Sequence, residues 1–269
     1  MGNMSPQIII IKKSTMLINK FLALLNLRIT RKTTFDKLFQ KAFYCDDYKQ
    51  QVDVLLTSDL LRGLRGSRSQ LEQRQDMFVL AQLNFKTAGF FVEFGAANGV
   101  DLSNTYLLEK NFGWSGILAE PSKSFHQNIF DNRNCHIEKK CVWKNSEDSL
   151  TFRECEIGEL STLSQFTKDD FHENLRTNST EYTVETISLN DLLVKYDAPK
   201  IIDYLSIDTE GSEYEILNEF NFEKFRFRLI TCEHNNVNRE KIYNLLSSKG
   251  YKRVFENLSK CDDWYVSEP

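Results

Sequence analysis

Two acids punctuate the stretch GFFVEFGAANGVDLSNTYLLEKNFGWSGILAEP, residues 89–121. Glu93 stands inside the apolar run FFVEF, and Glu120 directly follows the apolar run GILA. An ionised carboxylate buried without a partner is costly, so each position implies something that it holds. The turn after the first run is E-F-G-A-A-N-G, from Glu93 to Gly99. A glycine leaving a strand permits a tight bend and close approach to the backbone, and the segment after it offers free helix-start amides. This is not the dinucleotide pattern G-x-G-x-x-G, because Ala97 stands where its second glycine would be and Gly95 and Gly99 are four apart. Too little backbone is exposed for a pyrophosphate. A ligand with a positive amino group and no phosphate suits this turn better.

Glu120 lies some 25 residues beyond Gly95, close to the spacing of about 20 at which an acid captures ribose hydroxyls in nucleotide folds. The two carboxylates together describe a ligand with a cationic end and a ribose, and S-adenosylmethionine has both. A second constellation is IIDYLSIDTEGSEYEIL, residues 201–217. Asp208 ends an apolar run, Glu210 occupies the turn, and Gly211 permits the bend into a helix capped by Ser212. Glu233, His234 and Asn235 end the next apolar run. In an open α/β sheet, ligands bind beyond the carboxyl ends of the strands, so Asp208, Glu210, Glu233 and His234 should share one crevice with Glu93 and Glu120. Two chemistries are open to them. Asp208, Glu210 and Glu233 could hold Mg²⁺ or a similar divalent cation against a substrate diol. Alternatively, Asp208, Glu210 or His234 could act as general base toward a hydroxyl. Glu213 and Glu215 are expected on a solvated helix face.

The elements that must position these residues alternate. Strands are expected at 90–94, 116–119 and 136–143, with helices at 100–111 and 122–130 between them. Residues 144–187 break the rhythm: SLTFREC and EYTVETI read as antiparallel edge strands around a polar segment at 159–181, which is expected to cover the substrate. A helix capped by Ser188 spans 188–196, followed by a strand at 201–207, a helix at 212–220 and a strand at 227–233. A helix stopped by Gly250 and two last strands, YKRVFE and DWYV, complete the chain. The division implied is a basic helical extension at 1–68 and one α/β domain at 69–269 with an insertion at about 144–187. The domain opens on a capping box from Ser69 to Glu72.

Bulk properties narrow the partners. The net charge of −4 over 269 residues argues against nucleic-acid binding, which needs a clustered basic excess. Six cysteines, at 45, 135, 141, 155, 232 and 261, form no CxxC pair, so they read as reduced thiols in a cytoplasmic protein. Residues 8–32 carry Lys12, Lys13, Lys20, Arg28, Arg31 and Lys32 beside apolar residues at helical spacing. They suit either an amphipathic helix on the inner face of a membrane or a helix packed on the domain. A membrane-spanning helix and a cleaved leader are not expected.

The strings FVEFGAANGVDLSNTYLLEKNFGWSGILAEP, ELSTL, VETISLNDLL, IDYLSIDTEGSEYEIL and EHN closely resemble the FkbM-type methyltransferases, a branch of the class I S-adenosylmethionine-dependent fold. The resemblance runs from about Ser69 to DDWYV. It implies a Rossmann-like α/β fold: a seven-stranded, mostly parallel sheet with helices on both faces and an antiparallel last strand. It implies S-adenosylmethionine at the glycine turn and O-methylation of a sugar, glycan or related small metabolite. Carried over by position, Glu93, Gly95, Ala97, Asn98 and Gly99 surround the methionine part, Glu120 holds the ribose, and Cys141 and Val142 lie beside the adenine. Cys141 departs from the acid that many methyltransferases place near the adenine amino group. Gln75 and Asp76 would close one side of the pocket. Two other readings stand beside this one: a non-catalytic member that binds S-adenosylmethionine or a partner, and a nicotinamide-dependent sugar oxidoreductase. The oligomeric state is not legible.

Overall fold

The structure is a computed structural model that describes residues 75–156, 158, 161–166, 178–234, 238–259 and 261–268. The expected extension at 1–68, its segment at 8–32, the capping box at 69–72, Asn235 and most of the polar segment at 159–181 lie outside the described residues. The chain divides into two units, residues 1–62 with 77–86, and residues 63–76 with 87–269. Of the first, the described part is most of helix α1 (Gln75–Gln82) and the turn after it.

The second unit is built on a sheet of seven strands: β1 (Phe90–Phe94), β2 (Ser115–Ala119), β3 (His136–Glu138), β8 (Ile201–Ile207), β9 (Arg226–Glu233), β10 (Tyr251–Val254) and β11 (Asp262–Ser267). Their spatial order is β10-β11-β9-β8-β1-β2-β3. Neighbours run parallel from β3 to β9, and β11 alone is antiparallel to both strands beside it. This is the expected seven-stranded sheet with an antiparallel last strand. The order reverses between β1 and β8, which places the switch crevice beyond Phe94 and Ile207.

Side chains alternate across β1 and so divide its work. Val92 and Phe94 join Ile117, Leu205 and Ile207 in a core completed by three helices. These are α4 (Leu189–Lys195), α5 (Glu213–Asn218) and α6 (Arg239–Ser248). Phe91 and Glu93 face the other way, toward α2 (Tyr106–Phe112) and α3 (His126–Asn132). Burial on both faces explains why these strands are short Phe/Val/Ile/Leu runs.

The run 136–143, expected as one strand, is two. Lys140 donates its backbone N–H to the Glu138 carboxylate at 3.0 Å, turning the chain out of the first sheet. Beyond that turn β4 (Cys141–Trp143) pairs with β7 (Ser179–Ser188) in a second sheet of order β4-β7-β5-β6, with β5 at Ser149–Cys155 and β6 at Thr162–Leu163. β5 and β7 are antiparallel, as expected of SLTFREC and EYTVETI. A short helix α7 (Glu256–Ser259) separates β10 from β11. Among the described residues no helix is long and apolar enough to cross a membrane.

Candidate functional site

The cavity of interest opens at the carboxyl ends of β1, β2 and β8 and encloses about 800 Å³, counting its mouth. Its floor is the turn after β1. Gly95 has φ +72°, and a Cβ there would fall inside the Asp208 carbonyl oxygen. The glycine therefore serves a backbone-to-backbone contact between the β1 and β8 turns. The expected close approach is by the protein's own chain.

Glu93 is 1% exposed. Its Oε1 accepts the Asn104 N–H at 2.6 Å, and its Oε2 accepts the hydroxyls of Ser103 (2.8 Å) and Thr105 (2.5 Å). Taking the Asn104 amide delays the helix expected from residue 100, which begins at Tyr106. Asn98 delays it further, because its side-chain oxygen accepts the N–H groups of Val100 (2.9 Å) and Asp101 (2.8 Å). Asn98 and Gly99 thus shape the turn and are not among the residues lining the cavity. Leu102, at φ +66°, and Asn104 do line it.

Glu120 leaves β2 with one backbone donor on each oxygen, Ala97 N–H on Oε2 (3.0 Å) and Ser122 N–H on Oε1 (2.9 Å). Burial pushes its pKa from the usual 4.5 up to about 7, against the pull of those two bonds. Each oxygen keeps a lone pair for a ligand hydroxyl. Beyond it the lining turns apolar: Pro121, Phe125, Cys141, Val142, Phe152 and Leu163. Cys141 and Val142, expected beside the adenine, belong to this apolar lining. Burial, with the Glu120 charge adding to it, pushes the Cys141 thiol up to about 12, so it is a neutral wall. Cys135, Cys232 and Cys261 are free thiols too.

The turn after β8 supplies Asp208, Thr209, Glu210 and Ser212 to the opposite wall. Asp208, Glu210 and Glu233 each present a carboxylate oxygen within 4.8 Å of the other two. Burial raises Asp208, with a hydrogen bond from Glu233 pulling it back. Burial and the charges of Asp208, Glu210 and Glu213 lift Glu233 well above the carboxylate range. One proton shared by the Asp208–Glu233 pair is the physical meaning of those opposed effects.

Two expectations fail in this turn. Glu213, placed on a solvated face, is 1% exposed, and its Oε1 accepts Thr209 N–H (3.0 Å), Gly211 N–H (3.0 Å) and the Thr209 hydroxyl (2.8 Å). Ser212, named as the cap, instead donates its hydroxyl to Thr209 Oγ1 at 2.7 Å, leaving the loop amides to Glu213. From the second sheet, Thr162 donates to the carbonyls of Thr209 and Glu210 at 3.2 and 3.0 Å.

His234 stands apart from the three acids. Its Nε2 is 3.8 Å from Asp263 Oδ1, neither ring nitrogen has a hydrogen-bond partner among the described residues, and burial lowers its pKa. Asp263 is engaged further by Arg239 and Arg253. Gln75 is likewise turned into the sheet: its amide donates to Asp262 (2.8 Å) and accepts from Tyr204 (3.2 Å) and Thr231 (2.7 Å). Gln75 and Asp76, expected to close the pocket, are buried and are not among its lining residues.

The family model described as the Methyltransferase FkbM domain matches residues 93–253. Among solved structures, a human methyltransferase 10 domain containing protein shares 14% identity over 79% of this chain and 95% of its own, with a TM-score of 0.40. An O-methyltransferase from Bacillus cereus, in complex with SAH, shares 13% over 93% and 97%, with a TM-score of 0.36. Precorrin-6y C5,15-methyltransferase from Geobacter metallireducens GS-15 shares 12% over 66% and 71%, with a TM-score of 0.35. No curated protein matches the chain. The family match covers more than half of the sequence, from Glu93 at the cavity floor to Arg253 in β10, and on that match the chain belongs to the FkbM methyltransferase family.

Proposed function

We propose that the protein transfers a methyl group from S-adenosylmethionine to a hydroxyl of a sugar, a glycan or a related small metabolite. The observation that carries this reading is the single sign of the cavity lining. It holds four carboxylates, Glu93, Glu120, Asp208 and Glu210, and no Lys, Arg or His among its described residues. Such a lining favours a cation and repels a pyrophosphate, which supports a sulfonium donor over a nicotinamide dinucleotide. When bound, S-adenosylmethionine supplies a methyl group activated by its sulfonium.

The residues divide the labour by strand order. Glu120, at the end of β2, accepts hydrogen bonds from the ribose hydroxyls. Phe125, Val142 and Phe152 flank the flat base. The turn held by Glu93, at the end of β1, faces the methionine end, and its carbonyls and Asn104 offer acceptors to an ammonium. Asp208, on the far wall, takes the proton of the acceptor hydroxyl, while Glu210 and Glu233 orient that hydroxyl. Much of the rate then comes from alignment rather than from strong base chemistry. The grouping of three oxygen donors within 4.8 Å favours a second reading, in which Asp208, Glu210 and Glu233 hold a hard divalent cation that orients an acceptor diol.

Calorimetric titration with S-adenosylmethionine, S-adenosylhomocysteine and NAD⁺ tests the donor, and labelled methyl transfer to a panel of sugars, nucleotide sugars and small alcohols tests the acceptor. Saturable binding of the first two ligands, none of NAD⁺, and label in an O-methyl product are expected. NAD⁺ binding, or label on nitrogen or carbon, would overturn the proposal. Loss of turnover in chelator with recovery on Mg²⁺ would favour the cation reading over the direct base.

A further inference from the structure

We infer that Arg133 is a positioning residue that sets the grip on the aminocarboxypropyl end of the cofactor by locking the 99–105 turn. The inference rests on the S-adenosylmethionine reading above. Arg133 follows directly on α3, and its side chain is wholly buried. Its Nε donates to Glu109 Oε2 at 2.7 Å, and its Nη1 donates to the Gly99 carbonyl (3.0 Å) and to Ser103 Oγ (2.9 Å). Nη2 donates to Thr105 Oγ1 at 2.9 Å, and the guanidinium lies over the Phe91 ring at 5.4 Å.

The two hydroxyls that Arg133 engages are the same two that donate to Glu93. The arrangement is a relay: guanidinium, hydroxyl, carboxylate, with Arg133 Nη1 3.9 Å from Glu93 Oε2 as the compensating charge. Each link polarises the next, so the three-part chain is stiffer than its separate bonds. Leu102 and Asn104, which line the cavity, sit between the tethered residues Gly99, Ser103 and Thr105. Leu102 keeps a left-handed backbone (φ +66°), a conformation that persists only where its surroundings enforce it.

Among the described residues none of Arg133's own bonds reaches Glu120, Pro121, Phe125, Cys141 or Val142; the nearest link is the Ala97 N–H on Glu120, two residues before the tethered Gly99. Losing Arg133 should therefore release the turn at the methionine end and leave the nucleoside end intact. That selectivity separates positioning from a general structural role, which would weaken both ends together.

The test compares two ligands that share the nucleoside and differ in the amino-acid arm: S-adenosylhomocysteine and 5′-methylthioadenosine. In the full chain, Arg133→Met should weaken S-adenosylhomocysteine at least about tenfold while 5′-methylthioadenosine stays within about twofold of wild type. Arg133→Lys keeps the charge but not the planar fork, so it should lose about threefold to tenfold for S-adenosylhomocysteine alone. If Arg133→Met does not fold, Arg133→Lys decides. Parallel loss of both ligands, or unchanged S-adenosylhomocysteine affinity in a folded variant, would overturn the assignment. Wild-type protein that binds neither ligand would remove the cofactor reading and this inference with it.

Discussion

Glu120 offers a prediction in which protonation, stability and ligand affinity are linked with a known sign. The folded protein lifts its pKa from the usual 4.5 to about 7, mainly through burial. Between those values this residue in the folded chain holds a proton that it has released in the unfolded chain, so the stability it contributes is greatest below pH 4.5 and falls as pH rises to 7. The whole drop is roughly 3 kcal/mol from this residue. A ligand whose hydroxyls donate to the carboxylate must displace that proton. Affinity for S-adenosylhomocysteine should then be about tenfold weaker at pH 6 than at pH 8, the factor given by a proton competing with a pKa near 7. Calorimetry between pH 5.5 and 8.5, in buffers of different ionisation enthalpy, reads both the affinity and the protons released.

Glu120→Gln should flatten the pH dependence and weaken binding at pH 8. A glutamine has one acceptor oxygen for the two N–H groups of Ala97 and Ser122, so at pH 5 the variant should be about 1–3 kcal/mol less stable than wild type. By pH 8 the difference should shrink or reverse, because the variant no longer buries a charge. A wild-type affinity that is flat across this range, or a Glu120→Gln variant that keeps the wild-type slope, would refute the reasoning.

Gly95→Ala combines a left-handed φ with overlap on the Asp208 carbonyl, and denaturant unfolding should show a loss of at least about 2 kcal/mol; a loss under about 0.5 kcal/mol would mean that the two turns do not meet as described. Glu213→Ala strips the acceptor from two amides and a hydroxyl and should cost about 2–4 kcal/mol in thermal or chemical melts, with Glu213→Gln milder. Asp208→Asn should lower methyl transfer by about a hundredfold or more, whereas His234→Ala, directed at Asp263 instead, should stay within about threefold of wild type in the same labelled-methyl assay.

What could be read from the residues was what depends on local pattern. FFVEF, GILA and IIDYLSI are strands because they are short, nearly continuous apolar runs of the kind that both faces of a covered sheet bury, and Glu120 falls at the cavity because it directly follows one of them, while Cys141 and Val142 reach it from β4. Positions fixed by the third dimension were not readable. Glu213 looks like an ordinary first-turn acid, and only the inward fold of the 209–211 loop turns it into a buried acceptor. Asn98 sits in a motif whose neighbours face the cavity, yet its amide is consumed by its own turn. His234 follows Glu233 in the chain, but the end of β9 sends its ring toward Asp263. Arg133 gave no signal at all: one arginine after a short helix resembles any surface residue until the 99–105 turn closes over it. The break at Lys139–Lys140 was hidden for a similar reason, since only the carboxylate of Glu138 capturing the Lys140 amide shows that the chain is changing sheets.

The abutment of Gly95 on Asp208 has a consequence for anyone wishing to redirect the protein to another acceptor. On the proposed reading, the loops after β1 and β8 serve donor and acceptor, and their contact means that they are not separate modules that can be exchanged one at a time. Lengthening or replacing the segment after Ile207 would shift the carbonyl against which the first turn rests, and would disturb the donor pocket before any new substrate arrived. Redesign would have to begin at side-chain tips such as Glu210 and leave that shared main-chain contact in place.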